Sequence, residues 1–365
     1  MHRFARIAPM LIVTLLAAAY LGWVLATNGG DPLALADLGT RYSQPEPGGT
    51  EGYDGQFNYY LALDPSPQRA APHLDVPAYR YQHILYPLLA RILALGNAAA
   101  IPWTLAAINL FSLAAFTFLV GELLNERGGN RWSAVPIGLW AGLLGAVRLD
   151  LSEPLALMLV AFALVIAGPR LERRIVPAGM LLALALLAKE TMLPFVAGWV
   201  LWLILQREFR KGALIASTIL PFLALQVWLW IVFGSPGLGS GGAGATAFEI
   251  IPFSGLIRIG AVSLAAFAVL AVVYLPGLLV PAAFGLAAPI RDFWRRAGTP
   301  ESCLLVVNAL MIAVAPFSTF REPLGILRLA CGLILCLWLY AAAKKNQWWN
   351  KISLIGLAYL VFLAR

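Results

Sequence analysis

The chain has 365 residues, 61% of them hydrophobic and 12% charged, about half the charged share of a soluble domain. That balance excludes an ordinary soluble enzyme and predicts an all-α, polytopic membrane protein forming a single integral membrane domain over residues 1–365. The net charge of +8 does not point to nucleic acid, because the basic residues fall in short runs between apolar spans, as cytoplasmic loops do. Cys303, Cys331 and Cys336 have no ligand spacing. They read as small buried hydrophobes, not as a disulfide framework or zinc site.

A spanning helix needs about 20 mostly apolar residues. The first such run is Ile7 to Ala26, behind Arg3 and Arg6. It reads as a retained anchor with a cytoplasmic N-terminus, and a signal-anchor reading places the next segment on the same outer side. Residues 27–99 form the predicted first outer loop. Its polar part, 27–82, carries seven acids against three arginines. Within it, Tyr53 to Leu63 has no proline and predicts a helix entered through Asp54 as N-cap. Phe57, Tyr60 and Leu61 would share one face of it, suiting a segment lying at the membrane surface. His83 to Asn97 is apolar but interrupted by Pro87 and Arg91, as in an interfacial or re-entrant helix or the start of a span.

Further spans are predicted near 100–121, 134–148, 152–168, 176–189, 191–205, 213–233, 259–289, 302–317, 326–343 and 352–364, about eleven in all. Pro276 and Pro281 predict a kink or break in 259–289. Residues 234–258 form an outer loop whose glycine-rich start, Gly234 to Ala247, is expected to be mobile. On this topology the inner loops hold Arg3, Arg6, Arg127, Arg131, Arg170, Arg173, Arg174, Arg207, Arg210, Lys211, Arg291, Arg295, Arg296, Lys344, Lys345 and Lys351. These are 16 of the 26 basic residues, which supports a plasma (inner) membrane protein with its N-terminus inside.

The charged residues out of place in apolar sequence then collect outside: Asp54 and Asp64, the turn Arg148-Leu-Asp-Leu-Ser-Glu153, Lys189-Glu190, Arg321-Glu322 and Arg328. Charge at a bilayer edge is costly unless it pairs or faces water, so the set predicts a polar cavity opening outward. Each residue also has a plainer reading. Asp54 could simply cap a helix, with Gly52 and Gly55 making its turn. Asp150 and Glu153 could ligate a divalent ion such as Mg or Mn through oxygen, or merely start a helix. Lys189 and Glu190 are adjacent, so on a helix they point about 100° apart, toward separate partners. Arg321 and Arg328 are seven apart, on one face if the helix starts early, and suit a phosphate or lipid headgroups. No nucleotide-binding, zinc-protease or nucleophile-elbow motif occurs, and His2, His73 and His83 have no metal-site spacing.

Tyr53-Asp-Gly-Gln-Phe-Asn-Tyr-Tyr60 resembles an element of the C-type glycosyltransferase superfamily (GT-C), most nearly in its glycosylphosphatidylinositol mannosyltransferases. The segment through Tyr79-Arg-Tyr-Gln-His-Ile-Leu-Tyr-Pro87 is similar to uncharacterised bacterial membrane proteins of that kind. The likeness in topology covers about the first two-thirds of the chain. It implies transfer of a sugar from a polyprenyl-phosphate donor to an acceptor at the outer face, with inversion. Asp54 would be the catalytic base or acceptor-positioning group. Gln56, Tyr59, Tyr60, Arg80 and Tyr81 would contact substrate, and Arg148, Lys189, Glu190, Arg321 and Arg328 would bind it from later helices. The implied partners are a lipid-linked sugar, membrane lipids and an acceptor glycan or lipid. The chain departs from many members in lacking an Asp-x-Asp or Glu-x-Asp pair, which leaves a metal unassigned. It also lacks their C-terminal soluble domain, so the membrane part is expected to bind the acceptor. A flippase for lipid-linked saccharides and a non-catalytic envelope-assembly protein are the rival readings.

Overall fold

The computed structural model describes residues 2–44, 48–170, 173–239, 241–345 and 353–363. Lys351, the two ends of the predicted 352–364 span and the side chain of Arg3 lie outside what is described. The described chain is helical throughout. Its only ladder pairing is an isolated bridge between Leu38 and Gly52.

Four helices are long and apolar enough to cross a membrane: Ala5–Thr27, Ile101–Glu126, Phe209–Phe233 and Leu264–Trp294. Pro323–Leu329 and Cys331–Ala343, bent by 43° between them, make a fifth if counted as one span. The described residues thus hold four or five candidate spans, not about eleven. Glu153–Ala167, Ile175–Ala188, Glu190–Leu205 and Pro300–Ala313 are apolar but shorter. Residues 134–148, predicted as one span, break into Ala134–Gly138 and Ala141–Arg148. Pro136 and Gly138 weaken the first piece, and at the break the Trp140 indole donates to the Leu327 carbonyl at 2.7 Å. The kink predicted in 259–289 is a π-helical turn over Leu275–Leu279 that contains Pro276, a usual way of absorbing a proline inside a helix.

Leu15, Phe111, Met180, Ile231 and Val269 are each more than half exposed. Apolar exposure on this scale fits lipid, not water. The first helix lies antiparallel to Ile101–Glu126, and Arg6 at its start grips Glu122 at 2.9 and 3.0 Å. Arg131 reaches the same carboxylate at 3.2 Å, Arg173 reaches Glu126 at 3.3 Å, Arg127 pairs with Glu301 at 2.7 Å, and Lys344 pairs with Asp292 at 2.9 Å. The inner-loop basic residues that form these pairs therefore meet acids at one end of the bundle. Glu153, Lys189 and Arg328 lie at the other ends of helices leading to that cluster. The structure thus has two polar ends joined by short helices.

Between the first two long helices the chain folds into short helices that lie over the second polar end. Gly55–Leu63 was expected to rest one face on the membrane surface. Instead seven of its nine residues are buried in protein, with Phe57 and Leu61 packed among Leu74, Tyr81 and Leu229. Leu85–Leu93 fits the interfacial expectation better. It is too short to span, and Ile92 and Leu93 present an exposed apolar edge.

Candidate functional site

The site begins where the Gly55–Leu63 helix meets the turn before Glu153. A Cβ at Gly55 would collide with the Leu149 carbonyl, so only glycine lets the two backbones touch. Asp54 occupies the N-cap position but makes no side-chain cap bond, which removes the plain capping reading. Its carboxylate turns inward instead. Arg80 Nη1 meets Oδ1 at 2.9 Å and Arg328 Nη1 meets Oδ2 at 3.3 Å. The Asp54 side chain is 35% exposed while both arginines are nearly buried. Burial pushes the Asp54 carboxyl up, but the Arg80 and Arg328 guanidiniums outweigh it and hold the group well below the usual carboxylate range.

Each cation has a second acid. Arg80 forms a bidentate pair with Asp75 at 2.6 and 2.7 Å and stacks 4.1 Å over the Phe57 ring. Arg328 donates twice to Glu153, at 3.0 and 2.8 Å, and once to the Tyr53 hydroxyl at 3.0 Å. The Tyr53 hydroxyl in turn donates to Glu322. Lys189 stands 3.8 Å from the same Glu153 oxygen. Next to Lys189, Glu190 points elsewhere, to His83 Nε2. The extended backbone at Lys189 separates the Ile175–Ala188 helix from the turn that begins at Glu190, and this break, not a helical offset, sends the neighbours to separate partners. Asp54, Asn58, Arg80, His83, Glu153, Lys189 and Arg328 line one cleft. Its charged walls carry three cations against two carboxylates. Its free volume is about 10 Å³, room for about one water.

The other predicted residues divide clearly. Gln56 is structural: its amide accepts from Gly39 N at 3.1 Å and donates to the Glu51 carbonyl at 2.6 Å. Tyr60 stacks on His73 with ring centres 4.7 Å apart, and Tyr59 tilts against Tyr60. Tyr81 is buried, and its hydroxyl donates to the Pro65 carbonyl. Arg148 donates to the Ala34 carbonyl at 3.2 Å. None of these lines the cleft. Arg321 is exposed and stands over the Phe317 ring. The chain is extended at Glu322 ahead of Pro323, so Arg321 and Arg328 belong to different helices and lose the shared face that a seven-residue spacing implies.

The metal role predicted for Asp150 and Glu153 finds no ligand set. Among the described residues no three His, Cys, Asp or Glu side chains gather as ligands. Glu153 is already held by two cations. Asp150 is fully buried in left-handed backbone, and both its carboxylate oxygens lack a hydrogen-bond partner. Burial pushes that carboxyl up despite Arg148, the reverse of what an ionised ligand needs.

Two contributors were missed from sequence. Asp75 fixes Arg80, and its Oδ2 also accepts from Ala243 N at 2.9 Å, tying the glycine-rich loop down over the site. The loop expected to be mobile is docked here, with a Cβ at Gly242 only 2.8 Å from Arg80 Nη2. His83, set aside for lack of metal spacing, lines the cleft beside Lys189. The one available signal was its place in an apolar stretch, where a buried polar ring needs a partner. No family model, curated protein or solved structure matches the chain.

Proposed function

We propose that this protein is a membrane glycosyltransferase of the polyprenyl-phosphate-dependent kind. It would work at the outer face of a plasma membrane with its N-terminus in the cytoplasm. In that topology the four shorter apolar helices would cross as well, and the segments over 134–148 and 353–363 would complete a total of about eleven spans.

One observation carries the reading. Asp54, from the first polar segment, meets Lys189 and Arg328, from helices far along the chain, in one cleft. Charges are brought together in an apolar protein only where each finds a partner or a polar ligand. Arg80, Lys189 and Arg328 are suited to hold the phosphate of the donor and to stabilise the charge that grows on it as the sugar leaves. Asp54 would accept a hydrogen bond from the acceptor hydroxyl and orient it for attack opposite the leaving phosphate, which inverts the anomeric carbon. Its two arginine partners make it a weak base, so it serves better to position than to take the proton. A cleft with room for one water must open before a sugar enters.

The test is transfer from a radiolabelled polyprenyl-phosphate hexose in reconstituted vesicles. Asp54→Asn should lower turnover by about 10²–10⁴-fold. Wild-type turnover in a well-folded variant would remove Asp54 from the chemistry.

A non-catalytic role in envelope assembly also has an observation behind it. Most of the charges are already paired with one another, and the cleft holds about one water. That reading predicts no transfer from any polyprenyl-phosphate sugar and unchanged envelope function in Asp54→Asn.

A further inference from the structure

We propose that His83, held by Glu190, is the general base of the site. This rests on the transferase reading above.

The argument starts from the acceptor's proton, which must leave its oxygen as that oxygen bonds to the anomeric carbon. Asp54 is poorly placed to take it, because Arg80 and Arg328 both hold its ionised form. Asp75 and Glu153 are likewise held by arginines. His83 is different. It lines the same cleft, and its Nε2 lies against the Glu190 carboxylate. An ionised carboxylate only accepts hydrogen bonds, so Nε2 carries the proton of the neutral ring and Nδ1 keeps a lone pair. Nδ1 has no hydrogen-bond partner among the described residues and is not among the fully buried unsatisfied atoms. Tyr79 packs edge-on against the ring with centres 5.2 Å apart, which fixes its plane. A carboxylate orienting an imidazole that lines a cavity and keeps its second nitrogen free is the arrangement that makes histidine a base.

In the step proposed, the acceptor hydroxyl gives its proton to His83 Nδ1. The oxygen's electron pair forms the bond to the anomeric carbon as the bond to phosphate breaks. The leaving electron pair stays on the lipid phosphate beside Lys189 and Arg328, and His83 later returns its proton to water. Glu190, Lys189, Arg80, Tyr79, Asp54 and Glu153 are the ionisable groups around the ring. Burial and then Lys189 press the His83 pKa down, against Glu190, which favours the neutral ring.

Two measurements decide the matter. The first needs no activity. The chain has only three histidines, so ¹⁵N-histidine spectra of the intact protein in nanodiscs can be assigned with His2→Gln and His73→Gln. Neutral His83 with its proton on Nε2 at pH 7 is expected. A proton on Nδ1, in either the other tautomer or the imidazolium, overturns the proposal.

The second uses a radiolabelled polyprenyl-phosphate hexose in vesicles. His83→Gln should lose about 10²–10⁴-fold in turnover, together with the acid limb of the pH profile. Glu190→Gln, a positioning change, should move that limb to lower pH. A wild type that transfers, with a His83→Gln variant that keeps rate and limb, refutes the base and leaves the transferase standing. A wild type that transfers nothing refutes the transferase reading, and the base with it, whatever the spectra show.

Discussion

Replacing Glu153 by glutamine keeps the side chain's shape and removes its charge. In the native protein one Glu153 oxygen takes two bonds from Arg328, at 3.0 and 2.8 Å, and faces Lys189 at 3.8 Å. The three side chains are between 5% and 10% exposed. Without the carboxylate two buried cations share a site with only Asp54 left to balance them. Removing one member of a buried pair costs about 3–5 kcal/mol. The exposed pair Arg41–Glu51, at the same 2.8 Å, is the control, because surface pairs contribute about 0–1 kcal/mol. Thermal unfolding in nanodiscs, followed through the twelve tryptophans, should show a large loss for Glu153→Gln and almost none for Glu51→Gln. The pair Glu153→Leu with Arg328→Met should recover part of the loss, since the penalty comes from an unpaired charge and not from a missing contact. A Glu153→Gln variant as stable as Glu51→Gln, or a double variant worse than the sum of its parts, would refute the reasoning.

Three further outcomes follow from the same geometry. Asp54 and Asp75 both have depressed carboxyl pKa values, in each case through arginines that overcome burial. Their stabilisation is therefore complete above the ordinary aspartate value of about 4 and is lost as pH falls through the lower folded values. Asp54→Asn should flatten this acid dependence of the melting temperature. Tyr53→Phe removes a hydroxyl that joins Arg328 to Glu322 and should cost about 1.5–3 kcal/mol, the usual worth of hydrogen bonds to charged groups. Orientation can be read with an impermeant maleimide, because all three native cysteines are buried. Gln68→Cys should label in intact cells and Arg210→Cys only after the membrane is opened; the opposite pattern reverses the proposed topology.

The sequence carried the charged cluster better than the helix count. Asp54, Lys189 and Arg328 stand out because a charge in apolar surroundings must find a partner, and this cost does not depend on knowing the fold. Lys189 and Glu190 do take separate partners, but through the break in the helix at Lys189 and not through a helical offset. Arg321 misled because the spacing argument assumes one continuous helix, and Pro323 starts a new one. The helix count is matched only in part, for a related reason. Residues 153–167 and 175–188 have the composition of a span, and hydropathy alone does not fix where such a helix stops. Asp75 was overlooked although its partner Arg80 is only five positions away, and His83 because its partner Glu190 lies 107 positions along the chain.

The brevity of the inner helices sets the depth of the chemistry. Glu153–Ala167 and Ile175–Ala188 run 15 and 14 residues, or roughly 21–22 Å, against a hydrocarbon layer of about 30 Å. With their basic ends at one interface, their other ends stop short of the opposite headgroups. On the proposed topology, Glu153, Lys189 and Arg328 would then lie below the outer headgroups, covered by the short helices of the first polar segment. The proposed polyprenyl donor would reach such a basin sideways, through the lipid, without its phosphate first leaving the bilayer. Charges at that level would be poorly screened, and part of the transmembrane voltage would fall across them.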